Sequence, residues 1–308
     1  MKKKIDKNMK PNFFIVGAPK CGTTSIYFYL KQHPQVFMAK FKEPHFFGKD
    51  LTRLRKLYNF NHESYMKLFS NSNIYKVRGE ASTFYLYSKK AAKEIHSFNP
   101  LAKILICLRE PTEMIYSMHS QYIHSQNEDV LDFEEALNLE QDRIKGSYIP
   151  MLIDLKEKIF YKDYIKKIPR RIKNYIDIFG RQNVHIVLLD DLKNDCELEY
   201  KKITKFLEID ETFHPNFEIQ NTNKKVKYLF LQKIIKMYGL ALGEIRSRIW
   251  SNKPIGIIDK LIKFNTINEH RNKMNHDLRI SLKRDFLSTI NQIEDIAYLD
   301  LSKWKIND

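Results

Sequence analysis

The sequence predicts an α/β fold: a P-loop-like parallel sheet flanked by helices, followed by a helical, basic C-terminal region. Three apolar segments predict buried strands, and they are Phe13–Val16, Lys103–Leu108 and Val184–Leu189. Helical patterns lie between these segments. Nearly continuous apolar strands separated by helices are typical of a parallel sheet that is covered on both faces. A glycine-rich turn follows the first strand and leads into a helix, which is the arrangement of a phosphate-binding loop.

The polar residues 1–11 are expected to form a disordered tail, and residues 12–308 are expected to form a single domain. The first helix is predicted over Thr23–Gln32. It ends at His33-Pro34 because the residue before a proline disfavours the helical conformation. The other elements predicted before residue 208 are strands at Val36–Ala39 and Tyr75–Val77 and helices at Phe60–Phe69, Lys89–Phe98, Thr112–Ser125, Phe133–Ile144, Tyr164–Phe179 and Glu197–Leu207.

Residues 226–304 are predicted to be mainly helical and basic, with segments at Val226–Trp250, Ile255–Phe264 and Leu278–Trp304. The formal net charge of the chain is +16, and residues 222–285 alone hold 15 Lys and Arg against 5 Asp and Glu. A field of that sign concentrates anions such as a nucleotide, an acidic glycan, nucleic acid or lipid headgroups. A solvated lysine-rich surface is an equally good interpretation of the same composition.

The sequence composition also indicates the cellular location of the protein. No run of about 18 apolar residues occurs, and the basic start of the chain is not followed by an apolar signal core. The cysteines Cys21, Cys107 and Cys196 are too few and too scattered for a disulfide framework or a zinc site, so no metal is expected. We therefore expect a cytoplasmic protein, with peripheral contact at the inner membrane surface left open by the basic helices.

The turn after the first strand is an anion cradle that departs from the nucleoside-triphosphate loop at one position. That loop has the pattern G-x-x-x-x-G-K-[ST]. Gly17 and Gly22 keep its spacing, but Thr23 stands where the lysine belongs, and the lysine is Lys20 inside the turn. We therefore expect this turn to hold a phosphate group whose negative charge develops at a different place from that in a nucleoside-triphosphate site.

A second strand end carries Arg109, directly after Leu108, with Ser117 two turns into the next helix. A buried arginine requires an anionic partner because an isolated buried charge is costly. Glu110 and Asp191 are candidate partners in a structural ion pair. Beside an anion loop on a neighbouring strand, however, a phosphate becomes the better interpretation. One strand end would then hold a 5′-phosphate and the other a 3′-phosphate.

These motifs resemble those of the sulfotransferases that use 3′-phosphoadenosine-5′-phosphosulfate (PAPS). The segment Val16–Ser25 resembles the 5′-phosphosulfate loop of that family, and Leu108–Ser117 resembles its 3′-phosphate motif. The segment Lys42–Phe47 is similar to the acceptor-base loop of the heparan-sulfate and carbohydrate branch, here of bacterial type. The resemblance implies a sulfotransferase fold and a sulfotransferase enzyme.

The resemblance also implies roles for individual residues. Lys20 would stabilise negative charge on the bridging oxygen as adenosine 3′,5′-bisphosphate (PAP) departs, and Arg109 with Ser117 would hold the 3′-phosphate. The transferred group is already activated, so no metal is required. The residues implied in cofactor binding are Lys20, Cys21, Gly22, Thr23, Thr24, Ser25, Arg109 and Ser117. The family's further 3′-phosphate loop has no clear counterpart, and Asn221–Lys225 is a weak candidate.

The acceptor must lose a proton, and Glu43 is the candidate general base. Its apolar neighbours are expected to raise the pKa of Glu43 toward neutrality. His45 is the rival base because histidine also titrates in the useful range. Glu80 is a candidate to orient the acceptor or to pair with Lys20.

The predicted reaction is sulfuryl transfer to a hydroxyl or amine of a glycan or glycolipid. One alternative is a P-loop nucleotide kinase or NTPase, against which the position of Lys20 argues. Another is a basic protein that binds a membrane surface or nucleic acid. Nucleic acid is the less favoured partner because no nucleic-acid-binding signature occurs.

Overall fold

In a computed structural model, a five-stranded parallel sheet forms the centre of the chain. The structure describes residues 9–218, 224–238, 261–269 and 271–305. The sheet has the order β2-β3-β1-β4-β5. Its strands are β1 (Phe13–Gly17), β2 (Val36–Met38), β3 (Val77–Ala81), β4 (Lys103–Leu108) and β5 (Val184–Leu188). The predicted fold class is confirmed.

Helices cover both faces of this sheet and bury its apolar side chains. They are α1 (Thr23–Gln32), α2 (Thr52–Tyr58), α3 (His62–Lys67), α4 (Ala91–Phe98), α5 (Pro111–His124), α6 (Phe133–Asn138), α7 (Glu140–Lys145), α8 (Tyr161–Phe179), α9 (Leu189–Asn194), α10 (Cys196–Leu207) and α11 (His276–Ala297). All five residues of β1 are buried, as are the last five of β4. Strands of this kind require cover on both faces, which is why their sequences are apolar without alternation.

The ends of α5 follow from its sequence. Glu110 is the N-cap, and its carboxylate accepts hydrogen bonds from the N–H groups of Thr112 (3.0 Å) and Glu113 (2.8 Å). Pro111 occupies the first turn, where its missing N–H costs nothing. This cap places Arg109, which lies between β4 and α5, at the carboxyl end of β4.

Several predicted boundaries were wrong. β3 begins at Val77, so Gly79 and Glu80 lie inside the strand. Leu189, predicted as the end of a strand, begins α9. The helix predicted over Phe60–Phe69 is shorter, and a separate helix, α2, precedes it. The amphipathic segment at residues 133–144 forms two helices, α6 and α7, and α8 begins at Tyr161.

The C-terminal region is helical in part. Helical backbone occupies residues 229–238 and 261–264, and α11 packs against α8. A two-stranded antiparallel sheet, β6 (Lys224–Val226) with β7 (Thr266–Asn268), was not predicted. The helical prediction for residues 239–260 lies outside the described residues. Among the residues that are described, no helix combines the length and apolarity needed to cross a membrane.

The expected N-terminal tail divides into two parts. Residues 1–8 lie outside the described residues. Residues 9–11 contact the domain instead of leaving it: Pro11 is buried, and its carbonyl oxygen accepts a hydrogen bond from the side chain of Asn99 (3.0 Å).

Candidate active site

The candidate residues lie at one edge of the sheet because all five strands are parallel. Lys20 follows β1, Glu43 follows β2, Ser82 follows β3 and Arg109 follows β4. In open sheets of this class, ligands bind at the carboxyl ends of the strands. We refer to this end of the sheet, where the carboxyl ends of the strands meet, as the carboxyl edge.

The phosphate loop, residues 17–25, joins β1 to α1. Gly22 is the N-cap of α1 with φ of 83°, and a Cβ at this position would lie 2.9 Å from Cδ1 of Leu189. Only glycine satisfies both conditions without a shift of its neighbours. The first helical hydrogen bond runs from Ile26 N–H to the Gly22 carbonyl oxygen (3.2 Å). The N–H groups of Thr23, Thr24 and Ser25 therefore have no acceptor within the helix and are available to an anion.

Lys20 has left-handed backbone with φ of 64°. Its ammonium donates a hydrogen bond to Oε1 of Gln121 on α5 (3.3 Å). Left-handed backbone at a non-glycine residue costs free energy and persists only where surrounding contacts hold it. Gln121 was not identified from the sequence, because nothing in a helix of mixed composition marks one amide as a partner of Lys20.

The side chain of Cys21, within the phosphate loop, lies in the protein interior. The side chain is fully buried, and its sulfur lies 3.3 Å from the Pro19 carbonyl oxygen. Burial raises the pKa of the Cys21 thiol to about 12, with Arg109 and Lys20 acting in the opposite direction. The thiol is therefore protonated at neutral pH and is not a nucleophile.

Arg109 belongs to a group that we call the arginine cluster: Arg109, Arg271 and Arg279 around the carboxylate of Glu113. Oε2 of Glu113 lies 3.0 Å from Nη2 of Arg109 and 2.8 Å from Nη2 of Arg271, and Oε1 lies 2.9 Å from Nη1 of Arg279. The carboxylate partner of Arg109 is therefore Glu113 and neither of the two candidates for a structural ion pair, Glu110 and Asp191, and Glu110 caps α5. Three guanidinium groups share one carboxylate, so the cluster keeps an excess of positive charge.

The arginine cluster adjoins the phosphate loop. Nη1 of Arg109 donates a weak hydrogen bond to the carbonyl oxygen of Lys20 (3.5 Å). Ser117 is buried in α5, two turns from Arg109. A cavity of about 460 Å³ borders the cluster beside Arg271, whose guanidinium carbon lies 4.4 Å from the centroid of the Tyr116 ring. The cavity therefore lies on the arginine side of α5 and not at Glu43.

Arg271 and Arg279 were missed by the sequence analysis. The only signal was the basic composition of residues 222–285, which names no individual side chain. The weak candidate for this role, Asn221–Lys225, stays a prediction: residues 221–223 lie outside the described residues, and Lys224 and Lys225 belong to β6.

The base loop, residues 42–48, follows β2 at the opposite side of β3 from the phosphate loop. The N–H of Glu43 donates to the Ala81 carbonyl oxygen (2.9 Å), which fixes the loop to the end of β3. The Glu43 carboxylate lies 3.0 Å from Nζ of Lys42 through Oε1, and its Oε2 accepts a hydrogen bond from Thr83 (3.0 Å).

The expected rise in the pKa of Glu43 is wrong. Burial does act to raise that pKa, but the Lys42 ammonium and the His45 imidazole outweigh it and hold the pKa below its usual range. The prediction considered the apolar neighbours and omitted the lysine directly before the glutamate. Glu43 is therefore ionised at neutral pH.

His45 lies behind Glu43 rather than beside the solvent. Its side chain is 3% exposed, against 29% for Glu43, and its Nε2 is 3.2 Å from Oε2 of Glu43. Its Nδ1 is buried without a hydrogen-bond partner among the described residues. His45 thus contacts the candidate base and has little access to an acceptor.

Glu80 is fully buried and accepts hydrogen bonds from three hydroxyl groups, those of Tyr65 (2.9 Å), Tyr85 (3.0 Å) and Ser82 (3.0 Å). At the end of β5, Asp190 accepts a hydrogen bond from the indole N–H of Trp304 (2.9 Å), so this aspartate has a structural partner.

Comparisons with known proteins point to one family. The family described as "Sulfotransferase domain" matches residues 10–250. Carbohydrate sulfotransferase 15 of Rattus norvegicus is 25% identical over 248 residues, which cover 65% of this chain and 44% of that protein. Heparan sulfate glucosamine 3-O-sulfotransferase 5 of Mus musculus is 27% identical over 256 residues, with 82% and 68% covered. The chain thus spans less than half the length of the first of these relatives.

A solved structure extends the similarity to almost the whole chain. The crystal structure of a sulfotransferase from Alicyclobacillus acidocaldarius superposes with a TM-score of 0.70 at 26% sequence identity. The superposition covers 96% of this chain and 98% of the other.

Proposed function

The chain belongs to the sulfotransferase domain family, and from that premise we propose that it transfers a sulfuryl group from PAPS to a hydroxyl or amine of a carbohydrate or glycolipid acceptor. The observation that carries the proposal is the position of Lys20 and Arg109 at the ends of the neighbouring strands β1 and β4, joined by a hydrogen bond. The phosphate loop and the arginine cluster are thereby adjacent, which supports the binding of one ligand that carries two anionic groups.

The residues present fit a nucleotide with two separate phosphate groups. The N–H groups of Thr23, Thr24 and Ser25 at the start of α1 suit the 5′-phosphate. The arginine cluster, with three guanidinium groups on one carboxylate, has the charge to accept a second phosphate near Ser117. PAPS would supply a sulfuryl group that is already activated by its link to phosphate.

Lys20 and Glu43 divide the remaining chemistry. A bond forms between the acceptor oxygen or nitrogen and sulfur, and the bond from sulfur to the bridging oxygen breaks. Lys20 stabilises the negative charge that grows on that oxygen, an effect of about 3 kcal/mol for one well-placed donor. Glu43 takes the acceptor proton. We favour Glu43 over His45 because Glu43 is ionised and partly exposed, whereas His45 is buried against it.

The acceptor class rests on the relatives. Carbohydrate sulfotransferase 15 and heparan sulfate glucosamine 3-O-sulfotransferase 5 are named for glycan acceptors. The segment Lys42–Phe47, which resembles the acceptor-base loop of that branch, lies at the carboxyl edge. The position that is sulfated is not part of the proposal.

Transfer of radiolabelled sulfate from PAPS to a panel of glycans tests the proposal. We expect transfer by the wild-type chain and a loss of about 10²- to 10³-fold in Lys20→Ala. Lys93→Ala, on the exposed face of α4, is the matched control and should keep full activity. A chain that binds ATP with Mg²⁺ more tightly than PAP, and that transfers no label, would support the kinase alternative instead.

A further inference from the structure

Glu80 is a buried carboxylate whose three partners are all hydroxyl groups. Oε1 accepts from Tyr65 and Tyr85, and Oε2 accepts from Ser82. An ionised carboxylate can only accept hydrogen bonds. Each hydroxyl must therefore direct its single hydrogen toward Glu80, and its oxygen is left with lone pairs that point elsewhere.

Two of these three oxygens hold the backbone of the base loop. Oγ of Ser82 accepts a hydrogen bond from the N–H of His45 (3.2 Å), and the hydroxyl oxygen of Tyr85 accepts one from the N–H of Phe47 (3.2 Å). Glu80 thus fixes the direction of both hydroxyls, and the hydroxyls fix the loop on either side of residue 46. The third hydroxyl, that of Tyr65, belongs to α3, and it is the Tyr65 ring that packs on the loop, stacked on Phe46.

The base loop needs such support because part of its backbone is left-handed. Glu43 has φ of 66° and His45 has φ of 46°. Non-glycine residues keep this conformation only when neighbouring contacts over-determine it. His45 also contacts the Glu43 carboxylate through its side chain, so a shift of the His45 backbone moves the candidate base.

We propose that Glu80 is a positioning residue that holds the base loop in its active conformation through the hydroxyls of Ser82 and Tyr85. The proposal rests on the proposed function, in which Glu43 of that loop is the base. Glu80 itself lies beneath the loop and is fully buried, so it is out of reach of a sugar acceptor.

The electrostatics of Glu80 agree with this role. Burial raises the pKa of Glu80 to about 7, while the hydroxyls of Tyr65, Ser82 and Tyr85 act to lower it, and the Glu43 carboxylate acts to raise it. These are the groups that face Glu80 from α3, from the segment after β3 and from the base loop. Above pH 7 the carboxylate is ionised and accepts all three hydrogens.

The experiment compares Glu80→Gln with Tyr65→Phe. Glutamine keeps the shape but replaces one carboxylate oxygen with an NH₂ donor, so at least one hydroxyl can no longer donate to residue 80 and loses the hydrogen bond that fixes its direction toward the loop. Tyr65→Phe removes one hydrogen bond to Glu80 and leaves both loop contacts in place, which makes it the matched control. Hydrogen exchange of the peptide that covers residues 43–47 is the first readout, and it does not depend on sulfate transfer.

We expect faster exchange of residues 43–47 in Glu80→Gln, with exchange in Tyr65→Phe close to wild type. In the transfer assay we expect kcat to fall about 10- to 100-fold in Glu80→Gln, since small displacements of reacting groups have effects of this size. The dissociation constant for PAP should stay within about twofold, because the arginine cluster lies across the sheet from the loop. The double variant Ser82→Ala/Tyr85→Phe should reproduce both changes, and it replaces Glu80→Gln if that variant does not fold.

Unchanged exchange of residues 43–47 or an unchanged kcat in Glu80→Gln would overturn the proposal. A loss of PAP binding in Glu80→Gln as large as the loss of kcat would also overturn it, because it would indicate a general structural role. Altered exchange in a chain that transfers no sulfate would leave the positioning of the loop supported and the proposed function refuted. The two failures are therefore distinguishable.

Discussion

Nε2 of His45 lies 3.2 Å from Oε2 of Glu43, while Nζ of Lys42 lies 3.0 Å from the other oxygen of the same carboxylate. The candidate base is thus flanked by a buried imidazole and a partly exposed ammonium. This arrangement keeps Glu43 ionised, and the Lys42 side of the carboxylate is the more exposed of the two.

Glu43→Gln should remove turnover without removing donor binding. The amide cannot take a proton, and the general-base contribution that is lost is about 10²- to 10⁴-fold. Titration calorimetry with PAP should give a dissociation constant within about twofold of wild type, because the phosphate contacts lie on other strands. Glu63→Gln, in the exposed ion pair with Lys67, is the control. Full activity in Glu43→Gln would move the role of base to His45.

Lys42→Ala should shift the pH dependence of the reaction. The Lys42 ammonium lowers the pKa of Glu43, so its removal raises that pKa. A base must be deprotonated to act, and activity is lost as the pH falls through its pKa. The acid limb of the kcat profile is therefore expected at higher pH in Lys42→Ala than in wild type. An unmoved limb would show that Glu43 does not control it.

Glu113→Gln should change the response to PAP through the arginine cluster. The Glu113 carboxylate is the shared anionic partner of Arg109, Arg271 and Arg279. Removing its charge leaves the guanidinium groups in mutual repulsion until a phosphate binds. We expect a lower melting temperature without ligand and a larger rise on addition of PAP. Arg109→Ala is expected to weaken PAP binding. If PAP raised the melting temperatures of wild type, Glu113→Gln and Arg109→Ala equally, the result would contradict a phosphate site at the arginine cluster.

The sequence predicted the strands that are buried on both faces, because a continuous apolar run such as β1 or β4 is stable in water only when both of its faces are covered. It misplaced β3, where Arg78, Gly79 and Glu80 interrupt the apolar pattern. It missed the pairing of β6 with β7, since both strands are short and distant in the chain.

The candidate site was predictable where residues directly follow strands, as Lys20 and Arg109 do. Arg271 could not be predicted, because its approach to Glu113 depends on how the C-terminal region returns to α5. A cytoplasmic location and peripheral contact with an anionic membrane stay predictions.

Arg143→Met should destabilise the fold strongly. Arg143 and Glu128 are both 0% exposed and are joined by two hydrogen bonds of 2.7 Å. Removing one partner leaves an uncompensated buried charge, at a cost of about 3 to 5 kcal/mol. Lys173→Met, in the exposed pair with Asp177, should cost less than about 1 kcal/mol. Urea unfolding of both variants measures the difference, and similar losses would contradict the burial of the Arg143 pair.

Glu80 should also make stability depend on pH in a defined window. Burial raises its pKa in the folded state from 4.5 to about 7, so the folded state binds the proton more tightly than the unfolded state. The free energy of unfolding therefore falls as the pH rises between these values, by about 3 kcal/mol in total. The folded-state pKa of Glu43 is lowered, so Glu43 changes the free energy of unfolding only below pH 4.5, outside the pH range in which Glu80 acts. Glu80→Gln should lack this contribution of Glu80. The free energy of unfolding of the variant, measured relative to that of wild type, should therefore increase from pH 5 to pH 8. A stability difference that stays constant across this range would show that Glu80 does not titrate there, because every other group contributes equally to both proteins.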